Sequence, residues 1–380
     1  MTSRPTLEAR SAYTNAAASL LQAYPDQASH LMFKDEKKTD KPFSYLFVYL
    51  LLTDIRSSVP LLLEQLNQPQ YPKTSRRLAS AFDAISLFIG FLIRSLEDES
   101  LDTLIMPPDN LLKLRKNISE TMSVSIEYLR DRWDASVAGA MGLHPDARAN
   151  TIGTVTGSNY TLAWDSAKDN AEADPFILSV TRALSLWLRE DENDLLRKEA
   201  IGLTDMFMDL YRSSSMDNLD FRSPILVALE ALITLDDGRE ILLKNGGWTV
   251  LVQDLTSIMR DMTEHQNVAR GIDIVRVLLP VVETEDGGTS EDWMNLITTA
   301  AAWGISPDNS QGALIEEFEV AVLQICCTIL EKATQGMRKR YMHSIAAIAG
   351  IASQLHKVIG RDHPLREQMD DVLQALAAVR

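Results

Sequence analysis

Apolar and polar positions follow one another with the period of an α-helix in nearly every segment that has a clear pattern. The stretch ALIEEFEVAVLQICCTIL shows this period most clearly. Its apolar stripe consists of Leu314, Phe318, Ala321, Ile325 and Ile329, widened by Val322, Leu323, Cys326 and Leu330. A stripe this wide is typical of a helix buried between neighbouring helices. The pattern therefore predicts an all-α fold.

The same period predicts a long series of helices joined by short polar turns. They cover about 7–23, 43 onward with a bend at Pro60, 75–96, 109–133, 176–189, 194–211, 223–235, 236–247, 248–262, 266–282, 291–303, 312–333, 336–358 and 364–379. In the helix of 236–247, Asp236 or Asp237 is the predicted N-cap and Gly246 the predicted end. Such a series is typical of an armadillo-like or HEAT-like α-solenoid of stacked helix pairs, although no exact repeat is visible.

The helical pattern lapses between residues 134 and 174. It divides the chain into N-terminal helical repeats (1–133), a long loop or insertion (134–174) and C-terminal helical repeats (175–380). A loop of about 40 residues is uncommon within a compact domain. Two interpretations stay open: a disordered insertion, or a functional flap that docks on the helices through residues 158–164.

Composition agrees with helices and argues against one class of partner. The chain has 380 residues, of which 46% are hydrophobic, and it contains few glycines (17) and prolines (14). Its net charge of −16 repels phosphate backbones, so no nucleic-acid partner is expected.

Localisation signals favour the cytoplasm. The adjacent Cys326 and Cys327 cannot form an ordinary disulfide within a helix, so we expect buried, reduced thiols. The first ten residues lack the apolar core of a signal peptide. The apolar stretch 43–52 is shorter than the roughly 20 residues that span a bilayer, so no transmembrane segment is expected.

Sequence motifs for catalysis or cofactor binding are absent. The chain contains no P-loop, no HExxH and no GxSxG, and the stretch beginning at Asp191 lacks the central glycine of an EF-hand. Six histidines are scattered along the chain. We therefore expect no catalytic residues, no cofactor and no metal.

One acidic stretch could still hold a carboxylate site. The segment LWLREDENDLLRKEA, from Leu186 to Ala200, contains Glu190, Asp191, Glu192, Asp194 and Glu199. These acids could serve a metal or proton transfer, or they could form the polar corner between two helices. Asp191, Asn193 or Asp194 can cap the second helix, and Asp194 stands four residues before Lys198 as an ordinary surface pair. The pattern favours the corner.

Two blocks of the sequence resemble the neurochondrin family. The resemblance is carried by Pro175 and Phe176, Trp187 and Leu188, the run from Leu196 to Glu199, and the run from Asp237 to Leu242 with Lys244 and Gly246. Weaker helical similarity covers most of the chain and corresponds to the C-terminal half of a typical, longer member. The resemblance implies an armadillo-like cytoplasmic protein without enzymatic activity. Animal members are linked to neurite outgrowth and bind signalling kinases and receptor tails, but those partners do not transfer to this chain.

The function expected from these observations is a non-enzymatic cytoplasmic scaffold or adaptor that binds a protein partner of unknown identity. The alternative is a regulator of a nucleotide-binding signalling protein, resembling an exchange factor built on a similar solenoid. The candidate partner-binding residues are the basic ones in the two blocks, Arg197, Lys198, Arg239 and Lys244. They either share a ridge that receives an acidic segment or pair with local acids such as Asp194 and Glu240.

Overall fold

The computed structural model describes residues 6–34, 42–66, 68–97, 106–138, 171–214, 219–285, 288–304, 312–360 and 363–379. Within these ranges the regular structure is helical, with seventeen α-helices and short 3-10 turns. The helices form two compact units, one within Met1–Leu232 and the other within Ile233–Arg380.

The first unit contains nine of the described α-helices. They are α1 Leu7–Ala23, α2 Pro25–Phe33, α3 Phe43–Ser58, α4 Tyr71–Glu97, α5 Pro108–Ala138, α6 Pro175–Glu190, α7 Asp194–Ile201, α8 Thr204–Ser213 and α9 Arg222–Leu232. In one layer α1 packs on α4, α4 on α6 and α6 on α9. In the other layer α3 packs on α5 and α5 on α7, and the α3–α4 and α5–α6 contacts join the two layers.

The second unit repeats this arrangement. Its described helices are α10 Asp236–Lys244, α11 Gly247–Arg260, α12 His265–Thr284, α13 Met294–Ala301, α14 Ala313–Lys332, α15 Gln335–Arg340, α16 Met342–Val358 and α17 Arg366–Val379. One layer runs α12, α14, α17 and the other runs α11, α13, α16. Each unit is thus a stack of helix pairs in which a helix packs on the next helix of its own layer. The predicted all-α solenoid of armadillo or HEAT type is confirmed.

Helix α4 is long and apolar enough to cross a membrane, judged by length and composition over Tyr71–Ser95. In the structure α4 packs between α1 and α6, so its apolar residues belong to the core of one layer. Leu78, Phe82 and Phe88 are fully buried there.

The predicted helix bounds hold in most places, and α1 has both predicted ends. The chain departs from prediction where one apolar stripe covers two helices. Residues 194–211 form α7 and α8 with a break at Gly202, and residues 336–358 lie in α15 and α16. The structure also adds α2, which the pattern did not predict.

The predicted ends of α10 have different outcomes. Gly246 adopts the left-handed conformation (φ 69°) just after α10 ends, as predicted. The predicted aspartate cap is wrong, because Leu235 occupies the N-cap position without a side-chain hydrogen bond. Asp236 and Asp237 lie within the first turn, where their negative charges interact favourably with the helix dipole.

The predicted loop of 134–174 falls largely outside the described residues. At its borders, α5 continues to Ala138 and a 3-10 turn covers Ala171–Ala173. Whether the segment between them is an insertion or a flap stays a prediction.

Candidate functional site

The acidic stretch 186–200 forms the corner between α6 and α7. Asn193, one of three predicted caps, accepts hydrogen bonds through its side-chain oxygen from the backbone N–H groups of Leu195 (3.1 Å) and Leu196 (3.3 Å). Arg197 donates from Nε (3.2 Å) and Nη2 (3.1 Å) to the carbonyl of Leu188 at the end of α6. These bonds satisfy backbone groups that the two helix ends leave unpaired.

Asp191 fixes the corner to α5. Arg115 donates two hydrogen bonds to its Oδ1 atom, from Nε (2.9 Å) and Nη2 (2.6 Å). Ser119 donates to Oδ2 (3.0 Å) and accepts in turn from the indole N–H of Trp187 (3.2 Å). The Asp191 side chain is only 4% exposed, so these charge-assisted bonds offset the loss of its hydration.

Glu199 provides a second attachment to the same face of α5. The Ser123 hydroxyl donates to Glu199 Oε2 (2.7 Å), and Arg130 Nη2 donates to the Glu199 carbonyl (2.9 Å). The guanidinium of Arg130 reaches this carbonyl because Gly202 has no side chain: a Cβ there would lie 2.6 Å from Arg130 Nη2.

The acidic stretch is therefore a structural corner, and its α5 partners were not predicted. The only signal for them in the sequence is the four-residue spacing of Arg115, Ser119 and Ser123, which places them on one helix face.

An open groove of about 570 Å³ lies beside this corner, between α5 and the start of α7. Two leucines line it, Leu112 from α5 and Leu195 from α7. Their exposed fractions are 63% and 73%, so both present their side chains to solvent. The buried Asp191 and its partners Arg115 and Ser119 also line the groove and fix its shape.

Some charged side chains in the groove have ion-pair partners and others have none among the described residues. Arg115 is engaged by Asp191, and Glu120 accepts from Arg56 and lies 3.9 Å from Lys116. Glu192 and Asp194 are exposed and form no ion pair with any described residue. In particular, the surface pair predicted between Asp194 and Lys198 does not form among the described residues. The groove therefore carries two exposed leucines and, beside them, two carboxylates that no other described residue pairs.

The four basic residues predicted to bind a partner have different environments. Arg197 is half-buried and bonded to Leu188, and Arg239 donates to the Ile233 carbonyl (2.7 Å) and pairs with Asp236. Lys198 and Lys244 are exposed, and neither has a hydrogen bond or ion pair with another described residue. Arg197 and Lys198 belong to the first unit, Arg239 and Lys244 to the second. Their common ridge stays a prediction.

Other reactive groups lie away from the groove. Cys326 and Cys327 on α14 are buried, free thiols, as expected from their spacing. Burial, and to a smaller extent the Glu331 carboxylate, raises the pKa of Cys327 to about 12, which makes its thiolate scarce at neutral pH. Among the residues that the structure describes, no three His, Cys, Asp or Glu side chains are grouped so that they could hold a metal ion.

Comparison with known proteins identifies the family. A match to the Neurochondrin family covers residues 1–330. An uncharacterized protein of Schizosaccharomyces pombe is 24% identical over 195 residues, which are 50% of this chain and 29% of that protein. The chain thus matches less than a third of this relative's length. The crystal structure of an engineered protein aligns with 97% of this chain and 94% of its own, at 14% identity and a TM-score of 0.36, too weak to bear on the fold. On the family match, which extends over most of its length, the chain belongs to the Neurochondrin family.

Proposed function

We propose that this chain is a non-enzymatic cytoplasmic scaffold or adaptor that binds a protein partner on the surface of its helix stack. Membership of the Neurochondrin family and the two-layered helical units support this role. Stacked helix pairs present extended surfaces, which such folds use for binding. A net charge of −16 favours a protein partner over nucleic acid.

The observation that carries the proposal is the groove between α5 and the α6–α7 corner. Exposed leucines are common singly, but here two of them, Leu112 and Leu195, line one groove. Asp191 and its hydrogen bonds hold the two elements in place. A preformed site of this kind loses little conformational entropy when a partner binds.

The two exposed lysines are a second part of the proposal. Lys198 lies on α7, one turn beyond the groove residue Asp194, and Lys244 ends α10. Each lysine, within its own unit, is a candidate contact with acidic side chains of the partner. Arg197 and Arg239 contribute mainly to their own helix corners, through the bonds to Leu188 and Ile233.

Affinity purification with quantitative mass spectrometry tests the scaffold. The bait is the full chain, compared with Leu112→Asp/Leu195→Asp in the groove and with Leu31→Asp/Leu61→Asp at two other exposed leucines of the same unit. Circular dichroism confirms that each variant is folded. The proposal expects a partner that the wild type and the control variant recover and the groove variant loses. Equal recovery by all three baits would contradict it. The recovered partner, if it is a GTPase, is then assayed for accelerated nucleotide release, which would favour the exchange-factor alternative.

A further inference from the structure

We infer that the groove between α5 and the α6–α7 corner takes a partner segment that carries both apolar and positively charged side chains. This inference rests on the proposed scaffold function and adds the chemistry of the bound segment.

The apolar part follows from the two leucines. Leu195 stands at the second residue of α7, and its neighbours Leu196, Ala200 and Ile201 supply the buried face of that helix. Leu195 therefore points away from the core, and Leu112 does the same on α5. Apolar partner side chains placed against both leucines would remove their surface from water.

The charged part follows from the pairing of the groove residues. Each cation that lines the groove has a carboxylate beside it: Arg115 has Asp191, and Lys116 lies 3.9 Å from Glu120, which also pairs with Arg56. Glu192 and Asp194 have no such partner among the described residues. The unmatched charge of the groove is negative, and positive side chains complement it.

The charge of the whole chain acts in the same direction. At −16 it attracts basic segments over a distance and repels acidic ones. That attraction is nonspecific, so the test has to separate it from binding in the groove.

Three synthetic peptides of equal length separate these contributions, with fluorescence anisotropy of the labelled peptide as the readout. The first is an amphipathic helix of Leu and Lys, the second replaces every Lys by Glu, and the third replaces every Leu by Ser. We expect the full chain to bind the Leu/Lys peptide, and to bind the other two at least about tenfold more weakly.

Matched variants then locate the binding. Leu112→Ala/Leu195→Ala should weaken the Leu/Lys peptide about tenfold, whereas Leu31→Ala/Leu61→Ala should leave its affinity unchanged. Glu192→Gln/Asp194→Asn should weaken it about threefold and flatten its salt dependence. Asp237→Asn/Glu240→Gln removes the same number of charges from exposed positions of α10 and should have a smaller effect.

Two results would overturn the inference: stronger binding of the Leu/Glu peptide, or equal effects of the groove variants and their controls. The scaffold proposal and this inference about the partner's chemistry can fail independently of each other. If the groove variant loses its cellular partner but the Leu/Lys peptide does not bind, the scaffold stands and the chemistry inferred for its partner is wrong.

Discussion

Asp191 is the single residue on which the attachment of the corner to α5 depends most. It accepts three hydrogen bonds from Arg115 and Ser119 while almost fully buried. Hydrogen bonds to a charged group contribute about 1.5–3 kcal/mol each when they are removed one at a time. The acids around it are exposed, so adjacent carboxylates in one short stretch have different roles.

Replacing Asp191 by Asn should lower the free energy of unfolding of the first unit by about 1.5–3 kcal/mol, because the bonds from Arg115 then reach a neutral amide oxygen and lose their ionic character. Chemical denaturation followed by circular dichroism measures this change. The control is Asp194→Asn at the exposed neighbour, which should stay within about 0.5 kcal/mol of wild type. Equal effects of the two substitutions would contradict the role assigned to Asp191.

Glu319 on α14 is a buried carboxylate whose two oxygens have no hydrogen-bond partner among the described residues. Burial, and to a smaller extent the nearby Glu316, raises its pKa from the ordinary 4.5 to about 7. In the unfolded chain the carboxyl group of Glu319 ionises near pH 4.5. Between pH 4.5 and about 7 it must therefore take up a proton when the chain folds. The second unit should therefore lose stability as the pH rises from about 4.5 to about 7.

Glu319→Gln removes this titration and keeps the size of the side chain. Thermal melts at pH 5 and pH 8 should show that the variant gains stability over wild type as the pH rises. Because His363 pairs with Glu316 (3.2 Å) close to this group, the quantity to use is the difference in stability between variant and wild type at each pH. A difference independent of pH would mean that Glu319 is not protonated in the folded chain.

At the scale of secondary-structure elements, local sequence signals determine the ends of some helices, and long-range contacts determine those of others. Both ends of α1 were predicted, and at its start Thr6 supplies a local cap to the Ala9 N–H. The break between α7 and α8 was missed because the apolar pattern continues across Gly202. Arg130 approaches that glycine from α5, and nothing in the local sequence shows this contact.

In the candidate site, too, some features follow from the local sequence and others only from the fold. The corner and the cap at Asn193 were predictable from short polar residues between two helical stripes. The partners of Asp191 lie more than seventy positions earlier, so only the fold reveals them. The groove was not predicted, because Leu112 and Leu195 look in the sequence like any other helical leucines.

The cap gives a prediction for α7. Asn193→Ala should destabilise the first unit by about 1 kcal/mol, since two backbone N–H groups lose their acceptor, whereas Asn193→Asp should retain the stability. Hydrogen exchange at Leu195 and Leu196 measures the local effect. Unchanged exchange in the alanine variant would show that the cap contributes nothing.

At the scale of the whole molecule, the family, the fold and one surface groove bear on the same function. The chain belongs to the Neurochondrin family and consists of two units of stacked helix pairs. In the first unit, a groove is lined by two exposed leucines and by two carboxylates that have no ion-pair partner among the described residues. We propose on that basis that this groove binds a protein partner.

Hydrogen–deuterium exchange of the full chain tests this proposal most directly. It is measured with and without the protein partner that the wild type recovers in the affinity purification and the groove variant loses. We expect the partner to slow exchange in the peptides that contain Leu112 and Leu195, and to change exchange little in those of α16 and α17. Protection confined to other helices, with exchange around Leu112 and Leu195 unchanged, would contradict it.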